Sequence, residues 1–182
     1  MLRIFRNTAF VVVVLLTLTS CFKKVTTNTT LMIKALSEEA SGKGYTPADG
    51  SYAYIYYTPN KEWTITSYED AAAKIITHPE TGEQMTTPNV ECAPWSVEDD
   101  ATTHYLSLFQ SKTLALVVVV YPAAQMYAYI YRKSEAENLT YTYLTLIFHK
   151  WKNGTYNEGS KDGYRWTVVA PEKVEEEPQP NE

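Results

Sequence analysis

Apolar and polar side chains alternate with a period of two along most of the chain beyond residue 30, the spacing of half-buried β-strands. Residues 31–36 (LMIKAL) predict a first strand, closed by the turn residues Ser41-Gly42-Lys43-Gly44. Residues 51–58 (SYAYIYYT) predict a second, stopped by Pro59-Asn60, and residues 62–66 (EWTIT) a third. The period then changes. Ser67-Tyr68-Glu69-Asp70 has the form of a capping box, in which the Ser67 hydroxyl accepts from the Asp70 amide and the Asp70 carboxylate reaches back to the Ser67 amide. Ala71-Ala72-Ala73-Lys74 continues as strong helix formers, so one short helix is expected near residues 68–74. The β-branched Ile75, Ile76 and Thr77 return the chain to strand preference.

Pro79-Glu80-Thr81-Gly82 reads as a turn, and residues 86–100 are irregular, with Pro88, Pro94 and the acids Glu98, Asp99 and Asp100. Strand patterns resume over residues 104–110. Residues 113–121 (TLALVVVVY) are apolar at nearly every position, so this strand should be central and covered on both faces. Pro122 marks a break or bulge, after which residues 125–132, 140–150 and 164–169 complete the strands, with a turn at Asn153-Gly154. About nine short strands, one helix and frequent turns predict an all-β fold: an antiparallel β-sandwich of Ig-like or transthyretin-like form. A doubly wound α/β domain is excluded, because no helices stand between the strands.

The first 30 residues obey a different grammar. Arg3 and Arg6 precede the unbroken apolar stretch 9–16, which is well short of the roughly 20 residues that cross a bilayer. The stretch closes on Leu18-Thr19-Ser20-Cys21, which resembles the lipobox of bacterial lipoproteins. That resemblance implies cleavage after Ser20 and a diacylglyceryl thioether on Cys21, making the membrane the chain's first partner. Residues 1–20 are thus expected to be a signal peptide and 21–29 a lipidated tether. Residues 30–170 would form the sandwich, and 171–182 a disordered acidic tail. Phe22-Lys23-Lys24 brings no acid after the cysteine, which favours the periplasmic face of the outer membrane over the cell surface.

Removing residues 1–20 takes away two of the 16 Lys and Arg and none of the 21 acids, so the remainder carries a formal charge of −7. Nothing in that balance would attract nucleic acid, which needs clustered cations. With Cys21 lipidated, Cys92 is left without a disulfide partner in its own chain, and a small buried hydrophobe is its expected role. The core alone must then hold the domain. A chain near this length buries roughly 70% of its unfolded surface, which is enough.

The 15 tyrosines are the most unusual feature. Alternation places Tyr52, Tyr54 and Tyr56 on one strand face, Tyr127, Tyr129 and Tyr131 on another, and Tyr141 with Tyr143 on a third. Tyr52-Ala53-Tyr54-Ile55-Tyr56 recurs as Tyr127-Ala128-Tyr129-Ile130-Tyr131, the same packing problem solved twice. If the strands are neighbours, their rings form cross-strand pairs. Two uses compete: a tyrosine-rich outer face that suits a pleated surface, or an aromatic platform for a glycan or protein partner. On the second, Tyr52, Tyr54, Tyr127 and Tyr129 are candidate ligand residues, joined by Trp95 beside Pro94 in the irregular loop.

His78, His104 and His149 are isolated, and Asp99 and Asp100 lie too loosely before His104 to define a metal site. No nucleophile elbow, phosphate loop or paired Ser and His stands out, so neither catalytic residues nor a cofactor is expected. Residues 74–83 (KIITHPETGE) resemble the G-x-I-T-D-x-x-T-G-E opening of carboxypeptidase-regulatory-like domains, of the transthyretin-like group, with Lys74 in place of the glycine and His78 of the aspartate. That resemblance implies a sandwich serving as an accessory module and no activity. The expected function is a lipid-anchored, non-catalytic binding module of the cell envelope. Its alternatives are an adhesin or pilus-type subunit, which needs an open strand edge, and an envelope hydrolase whose site is assembled from distant residues.

Overall fold

A computed structural model describes residues 29–39, 41–92, 103–108, 114–133, 140–156 and 165–173. It is an all-β sandwich with one short helix. The first sheet is built around β1 (Thr29–Glu38). One side of β1 pairs in parallel with β10 (Thr140–Phe148), from Thr29 opposite Thr140 to Ser37 opposite Phe148. Its other side is shared by two antiparallel partners, β7 (Thr103–Leu108) along the first half and β2 (Tyr45–Pro47) at the end. The second sheet is antiparallel throughout. Its order is β11 (Gly154–Tyr156), β12 (Trp166–Val169), β9 (Met126–Lys133), β8 (Leu114–Tyr121), β3 (Tyr52–Thr58) and β6 (Val90–Cys92).

Between the sheets, Leu31, Ile33 and Ala35 of β1 and Leu144, Leu146 and Phe148 of β10 meet Ile55, Val117, Val119, Ala128, Ile130, Trp166 and Val168 in one core. Period-two alternation makes this possible, since every second residue of each strand points inward.

A second core lies on the opposite face of the second sheet. Leu116, Val118 and Val120 of β8 pack there under residues 62–77, a strap whose Trp63, Ile65, Ala71 and Ile76 are buried. The unbroken apolar run of β8 therefore has its predicted cause: it is central in its sheet and covered on both faces.

Within the strap, the helix α1 (Tyr68–Ala72) is capped as its sequence predicts, with the Asp70 amide donating to Ser67 Oγ at 3.0 Å. The Asp70 carboxylate instead accepts from the Thr66 hydroxyl. Residues 62–66 are not the expected strand. Only Thr64 forms a bridge, exchanging backbone hydrogen bonds with Thr77 at 2.9 and 2.8 Å. The alternation of Trp63 and Ile65 was a burial signal, satisfied by laying both side chains onto the sheet. Residues 79–82 do turn, linking β4 (Ile76–Thr77) to β5 (Gln84–Met85), with Gly82 at φ 70°. Lys74, just past the helix, has φ 60°, the left-handed conformation glycine adopts at least cost.

Candidate functional site

The candidate tyrosines come together, and their position decides what they can do. Because β3 and β9 both pair with β8, Tyr52, Val120 and Tyr127 form one row across the sheet. Tyr54, Val118 and Tyr129 form the next row, and Tyr56, Leu116 and Tyr131 the third. The two sets thus occupy one face of one sheet, with β8 between them. They are not adjacent strands, and the ring contacts run along each strand instead. Tyr54 and Tyr56 meet edge to face at 5.8 Å, and Tyr127 stacks on Tyr129 at 6.5 Å.

The strap roofs this face, and five hydroxyls fasten it. Tyr52 donates to the Ala72 carbonyl at 3.2 Å and Tyr54 to Ala71 at 3.0 Å. Tyr127 donates to Ile65 at 3.3 Å, while Tyr56 and Tyr131 donate to Lys74 and Trp63. Tyr54 and Tyr127 are buried, and Tyr52 and Tyr129 half-buried. Burial pushes the Tyr56, Tyr127 and Tyr131 phenols up to about 12, with Glu91 adding to the first and Tyr129 to the other two. Burial raises Tyr54 further still. Tyr54 and Tyr127 are therefore covered packing residues rather than parts of an exposed platform, while Tyr52 and Tyr129 are only half-buried.

Trp95 and Cys21 lie outside the described residues, as do Asp99 and Asp100. His78 is half-buried, 2.9 Å from Glu62 Oε2 and edge-on to Trp63. Cys92 is half-buried beside the inter-sheet core. Among the described residues, no three His, Cys, Asp or Glu side chains gather as a metal site would require.

A concavity lies elsewhere, at the end of the sandwich where β1, β8 and β10 finish. It measures about 330 Å³, at the lower end of the roughly 300–1,000 Å³ of small-molecule sites. Four separate segments line it. Ser37 and Glu38 come from the end of β1, Phe148 from the end of β10, and Lys150 and Trp151 from the turn that follows. Tyr121 ends β8, and a 3-10 turn (Pro122–Ala124) leads through Gln125 into Met126. Pro171, past β12, closes the far side and is shared with a neighbouring cavity of about 220 Å³ beside Tyr68 and Glu69.

Aromatic and polar side chains mix in the lining of the cleft. Tyr121 and Phe148 rings lie 5.4 Å apart. Trp151, in the same lining, stands 44% exposed, and Tyr45, at the start of β2, is 46% exposed at the same end of the sandwich. These two are the exposed large hydrophobic side chains among the described residues. The turn carrying Trp151 is pinned to β1, since the Lys150 amide donates to Glu38 Oε2 at 3.2 Å and His149 Nδ1 lies 3.7 Å from the same atom. Lys150 Nζ sits 5.5 Å from the centre of the Trp151 ring.

Backbone strain is concentrated here as well. Among the described residues three non-glycines have positive φ, and two of them, Gln125 at 51° and Trp151 at 57°, line the cleft. A left-handed residue with a bulky side chain costs about 1–2 kcal/mol, which a folded protein retains where the surroundings dictate it. The sequence carried one signal for this site: a tryptophan set among Lys150, Lys152 and Asn153, in a polar turn just beyond a strand. Gln125 had none.

No protein-family model, curated protein or solved structure matches the chain.

Proposed function

We propose that the chain is a lipid-anchored β-sandwich of a bacterial cell envelope that binds a ligand in the end cleft without transforming it. The Leu18–Cys21 likeness to a lipobox supports the anchor, and Cys21 would carry the lipid at the periplasmic face of the outer membrane. The hairpin at residues 76–85 and the left-handed Lys74, where the related pattern has glycine, support kinship with transthyretin-like accessory modules.

Polarity supports the binding role. The first described strand starts at Thr29, and the cleft begins at Ser37 and Glu38, the other end of the same ten-residue strand. At about 3.3 Å per residue the two ends stand roughly 30 Å apart, so a membrane tether at Cys21 would hold the cleft outward. The observation that carries the reading is Trp151: an exposed indole, held in a left-handed backbone in a cleft that Tyr121 and Phe148 also line, where a stiff apolar anchor dominates recognition. Glu38 fits binding better than chemistry, because one of its carboxylate oxygens, Oε2, holds the turn and fixes the side chain.

Two experiments test the two halves. Labelled fatty acid should enter the wild type and be absent from Cys21→Ser; label that persists in the variant removes the anchor. A pull-down from envelope extract should recover a ligand with the wild type and lose it with Trp151→Ala at unchanged melting temperature. Equal recovery by both proteins removes the cleft.

A second reading, strand-addition assembly as in an adhesin or pilus-type subunit, has one observation in its favour. Among the described residues no strand pairs with the outer edge of β10, nine residues long, and an unpaired edge is a template for another chain. Concentration-dependent growth of linear assemblies by the purified protein would support it, and a monomer at every concentration would remove it.

A further inference from the structure

The lining of the end cleft also speaks to the chemistry of its occupant. Three kinds of surface meet there. The first is flat and apolar: the exposed Trp151 indole and the Tyr121–Phe148 pair. The second is a set of short polar side chains that both donate and accept, the Gln125 amide and the Ser37 hydroxyl. The third is a pair of opposite charges, the Glu38 carboxylate and the Lys150 ammonium, which leave the cleft without a net sign.

A peptide strand would need a ladder of backbone partners, and the cleft lies off the ends of the strands rather than along an edge. An anionic ligand such as phosphate would meet Glu38 together with Lys150. A purely apolar ligand would make no use of the Gln125 amide and would cover polar groups without bonding them, at a cost in desolvation, even though the Ser37 hydroxyl keeps its 3.4 Å contact with Thr46 Oγ1. A pyranose satisfies all three surfaces. Its C–H face is flat and apolar, its hydroxyls both donate and accept, and it needs no charge.

We infer that the cleft takes a carbohydrate chain, one ring stacked on Trp151 and its hydroxyls bonded by Gln125, Ser37, Glu38 and Lys150. The assignment rests on the reading of the cleft as a binding site and adds the class of ligand. Lys150 serves as a movable partner in it, since its ammonium already stands over the indole and can turn to a sugar hydroxyl without leaving the ring.

The test uses the full chain in a detergent without a sugar headgroup. Four probes are titrated: β-1,4-linked N-acetylglucosamine tetramer, maltotetraose, a tetragalacturonate and an unstructured octapeptide. Tryptophan fluorescence and ligand-observed NMR report binding. At least one saccharide should bind, with affinity falling about tenfold in Trp151→Ala and severalfold in Gln125→Ala. Tyr45→Ala, which alters the other exposed aromatic outside the cleft lining, should bind as the wild type does. Binding of the octapeptide alone, sensitive to Trp151→Ala, would overturn the carbohydrate assignment and leave the cleft as a binding site. If no probe binds, or if binding ignores both cleft variants, the assignment and the binding role of the cleft fall together.

Discussion

Tyr54→Phe isolates the bond by which a buried hydroxyl holds the strap. The ring stays, so the packing against Tyr56 and the β8 valines is unchanged, and only the 3.0 Å bond to the Ala71 carbonyl is lost. That carbonyl keeps a second donor, the Lys74 amide at 3.2 Å, so it is not orphaned. The cost should therefore be the net value of one hydrogen bond, about 1 kcal/mol, and not the larger penalty of an unsatisfied buried group. For a domain of this size that lowers the melting temperature by roughly 3–5 °C. Tyr54→Ala empties a fully buried site as well and should cost about 3–5 kcal/mol. Urea melts measure both, with an unchanged denaturant slope expected for the Phe variant. Because the hydroxyls of Tyr52, Tyr54 and Tyr56 reach three carbonyls of one segment, the triple Phe variant should expose the Thr64 and Thr77 amides to hydrogen exchange before the sandwich opens. A Tyr54→Phe variant as stable as wild type, or one as damaged as Tyr54→Ala, would refute the hydroxyl's fastening role.

Two further outcomes follow from the same layer. Val118→Asp places a carboxylate among the rings beneath the strap at a fully buried site and should abolish folding; a soluble variant with a wild-type circular dichroism spectrum would remove β8 from the centre of the fold. Alkali should loosen the strap: the phenols of Tyr56, Tyr127 and Tyr131 titrate near 12 in the fold against 10 when unfolded, so the stability they contribute is whole below pH 10 and drains away as pH rises through 12. Tyrosinate absorbance and circular dichroism should move together in that window, and ionisation of every tyrosine near pH 10 with the fold intact would contradict it.

What the sequence disclosed and what it hid divide along a physical line. Local pattern was legible. The run 113–121 announced a strand covered on both faces, Ser67 announced a cap, and the Tyr-Ala-Tyr-Ile-Tyr echo announced two strands in equivalent surroundings. The surroundings themselves were not legible, because alternation says that a face is buried and is silent about what covers it. Tyr52, Tyr54, Tyr127 and Tyr129 were readable as a layer, but whether they faced a ligand or a strap depended on residues 62–77 folding over them. Those residues carried a strand's alternation without a strand's pairing. The cleft was less legible still. Its lining comes from residues 37–38, 121–126, 148–151 and 171, which only the parallel docking of β1 on β10 and the β8–β9 turn bring together.

The two faces of the second sheet give the cleft its rigidity by different means. On the inner face, β8 and β9 are locked to the first sheet by ordinary apolar packing. On the outer face, an apolar cover alone would slide, since a strap with one helical turn and a single bridge has little backbone pairing to fix its register. Directional bonds from five tyrosines supply that fixing, each ring burying apolar area while its hydroxyl reaches a carbonyl of the strap. The hairpin held in this way ends at Gln125 and Tyr121, and the strand parallel to β1 ends at Phe148, just before Trp151. Left-handed backbone at Gln125 and Trp151 would relax on a soft support. It persists because the β8–β9 turn is carried by strands covered on both faces and the Trp151 turn is bonded to Glu38, which is the condition under which a strained side chain can be presented, already oriented, to a ligand.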